Sequence, residues 1–243
     1  MKALFVVAFC LLAFTSFTQT EFNQPWKDTS RAIILDPFAG NSINWDKVVT
    51  DKRVTAIIHK ATQGARKDAE YKNRRTIAKQ KGLLWGSYHL GMAGDPVVQA
   101  DFYLSVIGND PSELMALDLE SLESQFMSLN NAVKFINRVH EKTGRFPLVY
   151  CNHAVFTAIQ ARFDSTSVFG KCGLWYARFK KDITGFTSRK TWLTYTIWQF
   201  SCEVNCSVTG QCLYNVPGTR FDMDINVYNG TVDELRNKWP AIR

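Results

Sequence analysis

Leu114-Met115-Ala116-Leu117-Asp118-Leu119-Glu120 is an apolar run that closes on two acids. It is too short for a core helix, and polar residues bound it on both sides, so it reads as a buried strand. Similar runs lie on either side. Residues 32–35, 56–59, 83–89 and 147–151 are short, apolar and flanked by turn or polar residues. Helical patterns separate them. Residues 72–81 stop before Gly82, and 97–107 follow Asp95-Pro96 and stop before Gly108, which are start and stop signals. Residues 129–142 place Ala132, Val133, Phe135, Ile136 and Val139 at helical spacing, and 154–163 is a further candidate. Strand followed by helix, repeated, predicts a parallel sheet with helices outside it. The last third differs: 173–177, 195–200 and 221–227 read as strands with no helix between them. The expected fold is therefore α/β, a modified TIM-like barrel. It has about eight strands and about five helices, and its last strands lack intervening helices.

Active sites of α/β barrels lie at the C-terminal strand ends. Those ends carry Asp36, His59-Lys60, Tyr88-His89, Asp118 and Glu120, Tyr150 and Asn152, Trp175-Tyr176, Trp198-Gln199-Phe200, and Asp224 with Asn226. In a closed barrel the last strand pairs with the first, so Asp36 and Asp224 are expected as neighbours with Asp118 and Glu120 across the mouth. Side chains two apart on a strand share a face, about 6–7 Å apart along the chain. Asp118 and Glu120 therefore project together. A solvated strand end would explain them; glycoside hydrolysis would use them. In that reaction one carboxyl protonates the leaving oxygen while a second group supports or attacks the oxocarbenium-like centre. Aromatic rings for sugar faces, with amides and carboxylates for hydroxyls, suit the same cleft. Tyr88 and Trp198 are expected to line it. His89 is as well explained as a satisfied core histidine, and Asp68 as a loop anchor.

The chain has 243 residues, is 46% hydrophobic and 21% charged, and carries a formal net charge of +7. One large domain is the simplest count. Met1-Lys2, an apolar stretch from Ala3 to Phe14, and a small polar stretch to Thr20 read as a secretory signal peptide over 1–20. An irregular lead-in over 21–30 and a catalytic barrel over 31–243 follow. Export would make the protein secreted or periplasmic. No other segment approaches transmembrane length, so stable membrane insertion is not expected. Loss of Lys2 leaves a charge that favours anionic polymers or simply solubility. No Lys/Arg run is interleaved with aromatics, which argues against nucleic acid. Cys202, Cys206 and Cys212 have neither zinc spacing nor a nearby His, so no metal is expected. One disulfide within that cluster is expected, and with Cys151 and Cys172 making five, one thiol must be left over. Asn205-Cys206-Ser207 and Asn229-Gly230-Thr231 fit the glycosylation pattern.

These pieces resemble the glycoside hydrolase family 25 lysozymes, the Chalaropsis-type N-acetylmuramidases. The matching segments, in order, are Ile34-Leu35-Asp36, Ile43-Asn44-Trp45, His59 to Gly64, Gly86 to His89, Gln99 to Phe102, Ala116 to Glu120, Pro147 to Tyr150, Leu174 to Ala177, Ile197 to Phe200 and Met223 to Asn226. They span nearly all of the chain after the leader. Asp118-x-Glu120 and Asp224-x-Asn226 are the specific parts. The resemblance implies hydrolysis of the β-1,4 bond between N-acetylmuramic acid and N-acetylglucosamine in peptidoglycan, without a cofactor. It implies Glu120 as general acid, Asp118 as the group that supports the charged centre or orients the acetamido group, and Asp36 and Asp224 as flanking carboxylates. Tyr88, Tyr150, Trp175, Trp198, Gln63 and Asn226 are then candidate substrate contacts. Gln63 stands where members often have Glu, and Pro37-Phe38 replaces small polar residues after Asp36. A chitinase-like barrel would want a third acid where Ala116 stands. A catalytically weak glycan-binding barrel is the other alternative, kept open by Gln63.

Overall fold

Trp26 stacks flat on Phe200 with ring centroids 4.1 Å apart, which ties the turn at Pro25–Lys27 to one of the last strands. The computed structural model describes residues 22–243 apart from 109, 184–185 and 187–189. The leader expected over 1–20 lies outside them. Among the described residues the strands are β1 (Arg31–Leu35), β2 (Val54–Gln63), β3 (Arg66–Lys67), β4 (Leu84–Leu90), β5 (Leu114–Leu119), β6 (Leu148–Asn152), β7 (Leu174–Ala177), β8 (Ile197–Ser201) and β9 (Ile225–Thr231). The helices are α1 (Trp45–Val48), α2 (Tyr71–Gln80), α3 (Pro96–Ile107), α4 (Leu129–Thr143), α5 (His153–Arg162) and α6 (Val232–Lys238).

The sheet runs β1-β9-β8-β7-β6-β5-β4-β2, and β1 pairs β2 to close it into an eight-stranded barrel. β3 is a two-residue extra that folds back on β2. The strands from β1 to β8 that form the barrel run parallel, whereas β9 is antiparallel to both neighbours. The modified TIM-like barrel expected from the sequence is therefore present, with α2 to α5 outside β4 to β7 and no helix between β7, β8 and β9 among the described residues.

Two details differ from expectation. The last strand begins at Ile225, not Phe221, and its reversal brings its start, rather than its end, to the mouth. Six helices form among the described residues, where about five were expected. α6 carries a capping box, in which Thr231 and Glu234 satisfy each other's backbone N–H groups.

Strand alternation sorts the core. Ala32, Ile34, Ala56, Ile58, Leu114, Ala116, Leu148, Trp175, Ile197 and Tyr228 pack together inside the barrel. The intervening Ile33, Leu35, Ile57, Met115, Leu117, Leu119, Val149, Tyr176, Trp198 and Phe200 join the larger outer core with the helices and the lead-in. Helix starts follow their caps: Asp95 accepts from Val97 and Val98, Ser128 from Asn131, and Asn152 from Ala154 and Val155.

Cys206 and Cys212 form the disulfide expected within the loop cluster. Three thiols remain rather than one: Cys151, Cys172 and Cys202 are all buried and free. Cys151 sits on the outward face of β6 and Cys172 before β7. Both glycosylation-pattern amides are occupied. Asn205 donates to the Phe200 carbonyl. Asn229 donates to Thr194 and the Tyr195 carbonyl and accepts from Arg31.

Candidate active site

Asp36 leaves β1 just as Asp224 enters β9, and the Asp36 backbone N–H donates to the Asp224 carbonyl at 3.3 Å. Asp118 is the last inward-facing residue of β5, and Glu120 follows it by two. All four, with Tyr88, Tyr150, Trp175 and Gln199, line a narrow floor of about 30 Å³. Above it opens a cleft of about 360 Å³, walled by Phe38, Lys60, Leu90, Asn152, Phe179, Cys202, Glu203, Val204 and Asp222 as well as most of the floor residues. A second cavity of equal volume lies under the barrel, between Met115, the end of α4 and Pro240–Arg243. It contains none of the acids.

One hydrogen-bonded chain fixes the floor. Tyr150 Oη donates to Gln199 Oε1 at 2.8 Å, and Gln199 Nε2 donates to Asp36 Oδ2 at 2.8 Å. Asn226 Nδ2 donates to Asp36 Oδ1, and Trp175 Nε1 donates to Asn226 Oδ1 at 2.6 Å. Trp175 meets Tyr150 and Tyr88 edge-on, with centroids 5.1 and 6.1 Å apart. Both Asp36 oxygens are thus held by amides, while buried Asp118 Oδ1 has no hydrogen-bond partner. Leaving such an atom unpaired costs about 1–3 kcal/mol.

The crowding shifts the four floor acids the same way. Burial, then repulsion from Asp224, pushes the Asp36 carboxyl well above the ordinary range, against the two amides. Burial and Glu120 do the same to Asp118, with Lys60 opposing. Asp224 is pushed up to about 7 by burial, Glu203, Glu120 and Asp222. Glu120 is exposed as a residue, yet loss of water around its carboxyl outweighs the attraction of Lys60, and it too is raised. Tyr88 and Tyr150 are raised well above their usual value by burial and then by the carboxylates, so both remain hydrogen-bond donors. Desolvation and like charge are the two general routes to a carboxyl that keeps its proton near neutrality. No metal-ligating cluster occurs among the described residues.

The structure separates the expected residues into three groups. Asp36, Asp118, Glu120, Asp224, Tyr88, Tyr150 and Trp175 converge on the floor. Asn226 is fully buried beneath it and reaches Asp36 rather than the cleft. Trp198 and Gln63 do not line the cleft. Trp198 is an odd step on β8, so it faces outward, packs on Trp26 and donates to the Arg178 carbonyl. Its neighbour Gln199, named at that strand end but not chosen as a substrate contact, takes the inward place. Gln63, at the end of β2, sets its amide against the Met92 sulfur. His89 is a core histidine held by Thr62 and Gln99, and Asp68 anchors the Ala39 and Glu70 N–H groups. Lys60 and Glu203 were also missed as cleft residues. Lys60 shares inward parity with Ile58, and its ammonium lies 4.5 Å from the Phe38 ring centre.

Comparison with known proteins follows this geometry. The model of the glycosyl hydrolases family 25 matches residues 38–208. A bacterial lysozyme from Streptomyces coelicolor is 25% identical, with a TM-score of 0.68 over 86% of this chain and 96% of that one. A family GH25 lysozyme from Aspergillus fumigatus is 24% identical, with a TM-score of 0.67 over 85% and 98%, and shows the shared fold. An uncharacterized protein, YegX, from Escherichia coli is 25% identical over 207 residues, covering 80% of this chain and 68% of its own.

Proposed function

The chain belongs to family 25 of the glycosyl hydrolases, and from that premise we propose that it is a secreted lysozyme. Its reaction is hydrolysis of the β-1,4 bond between N-acetylmuramic acid and N-acetylglucosamine in peptidoglycan, with Glu120 as general acid. The observation that carries this reading is the convergence of four carboxyls, all raised, at one open barrel mouth. The Streptomyces coelicolor relative, a lysozyme by its description, supports the choice of substrate.

In the proposed reaction each carboxyl has its own role. Of the four floor acids Glu120 is the exposed one, and it lines the open cleft, where a glycosidic oxygen can reach it. Burial keeps its proton on at a pH where a free carboxyl has lost it. Asp118 offers its unpaired Oδ1 to the acetamido N–H of the bound sugar, which recovers the cost of that orphaned atom. Asp224, which loses its proton above about pH 7, supplies negative charge beside the developing oxocarbenium-like centre, and Asp36, clamped by Gln199 and Asn226, stands behind it. Tyr88 and Tyr150 place apolar ring surface and hydroxyl donors in the same wall. Gln63, which left a purely glycan-binding reading open, lies away from the cleft. Its amide therefore takes nothing from the acid cluster.

Purified protein and its Glu120→Gln variant, incubated with bacterial peptidoglycan, test the proposal through mass spectrometry of new reducing ends. Muramic acid reducing ends from wild type alone are expected. Equal product from the variant would remove Glu120 from the mechanism, and no product from either would leave a binding barrel.

A further inference from the structure

We propose that Arg178 and Lys180, on either side of Phe179 at one rim of the cleft, form a subsite for the carboxylates of the peptide carried by the glycan strand. The inference rests on the lysozyme reading and adds to it which part of the wall polymer is recognised beyond the sugar.

Three observations lead there. First, the cleft is acid-lined: Asp118, Glu120, Glu203, Asp222 and Asp224 line it with a single cation, Lys60. An anionic substituent cannot lie across those acids without repulsion, so a peptide-bearing glycan needs a cationic edge along which to leave. Second, Phe179 and Asn152 supply one edge of the cleft, and the residues beside them are basic. Arg178 and Lys180 flank Phe179, Lys181 follows, and both cations lie close enough to His153 to depress it. Among the described residues no acidic side chain pairs with Arg178, Lys180 or Lys181, whereas Arg75, Lys79, Lys81 and Arg138 all have such partners. Third, the rim is fixed. Arg178 N–H donates to the Gln199 carbonyl at 3.0 Å, Trp198 Nε1 donates to the Arg178 carbonyl at 2.8 Å, and Gln24 N–H donates to the Lys181 carbonyl at 3.0 Å. These bonds use the backbone of the segment, so its charged side chains are left over for something else and can be replaced without breaking them.

The test compares wild type with the Arg178→Gln/Lys180→Gln variant on three preparations of one wall: intact, stripped of stem peptides by an amidase, and freed of phosphate polymers by hydrofluoric acid. Two partly exposed cations support a loss of roughly three- to tenfold in kcat/KM, carried by KM. That loss is expected on intact and acid-treated wall, should shrink below about twofold on peptide-free glycan, and should fade at high salt. An equal loss on peptide-bearing and peptide-free glycan, or no loss on any preparation, would overturn the proposal. Loss on intact but not on acid-treated wall would assign the rim to phosphate polymers and overturn the carboxylate assignment. If wild type releases no muramic acid ends from any preparation, the lysozyme reading itself has failed.

Discussion

Asp224→Asn should stabilise the protein at alkaline pH and leave it little changed at acid pH. Asp224 titrates at about 7 in the fold against an ordinary 3.8. A carboxyl raised on folding binds more protons in the native state between those two values, so stability falls as pH rises through that window. Each pH unit of such a displacement is worth about 1.4 kcal/mol, which sets a ceiling of ~4 kcal/mol for full ionisation. Asp224 is only half-buried and water screens it, so a gain of about 2 kcal/mol is the working figure. Removing its charge also relieves Asp36, for which Asp224 is the largest repulsive neighbour. Urea unfolding of wild type and variant at pH 4 and pH 8 gives the answer. The expected difference is near zero at pH 4 and grows to about 2 kcal/mol at pH 8 in favour of the variant. A constant difference across pH, or a variant less stable at pH 8, would refute the claim that burial and repulsion hold Asp224 against ionisation.

The remaining predictions concern the supports of the site. Gln199→Leu removes the amide shared by Tyr150 and Asp36; leaving a buried polar group unpaired costs ~1–3 kcal/mol, so kcat/KM on peptidoglycan should fall at least about fivefold, and wild-type turnover would sever this chain from function. Trp26→Ala empties the stack on Phe200 and the edge contact with Trp198. Denaturant unfolding should show a loss of about 3–5 kcal/mol, and a loss under ~1 kcal/mol would mean that the lead-in is not part of the cooperative fold.

Strand ends were the most readable part of the sequence. The acids at Asp36, Asp118 and Glu120 follow from where apolar runs stop, and barrel closure then required Asp224 beside Asp36. Parity is where reading went astray. On β7 and β8 the register sets Trp175 beside Ile197 and Ala177 beside Gln199, so counting in twos from the inward Trp175 selects Gln199 and rejects Trp198. A tryptophan near sugar chemistry overrode that count. Lys60 could have been found by the same count from Ile58. The direction of β9 was not readable. The stretch between Ser201 and Ile225 is long enough to return the chain either way, and no helix signal inside it chooses. α6 was readable and missed: Thr231-Val232-Asp233-Glu234 is a capping-box pattern.

The most perturbed carboxyls are not, on this reading, the acid. Asp36 and Asp118 are pushed furthest, yet Asp36 is sealed under Gln199 and Asn226 with both oxygens accepting N–H donors. Asp118 is 4% exposed, on the floor. A proton held there is well retained and poorly placed. Glu120 is less perturbed but stands in the open cleft, and proton transfer requires contact before it requires the right pKa. Lys60 draws Asp118 and Glu120 toward their charged forms, against burial; neither Asp36 nor Asp224 has it among its main influences. The mouth is thereby divided into a side with a cation and a side without. A glycan that displaces water from this mouth deepens the burial that already outweighs Lys60 at Glu120. The proton on Glu120 is therefore held most firmly when a glycosidic oxygen is there to receive it.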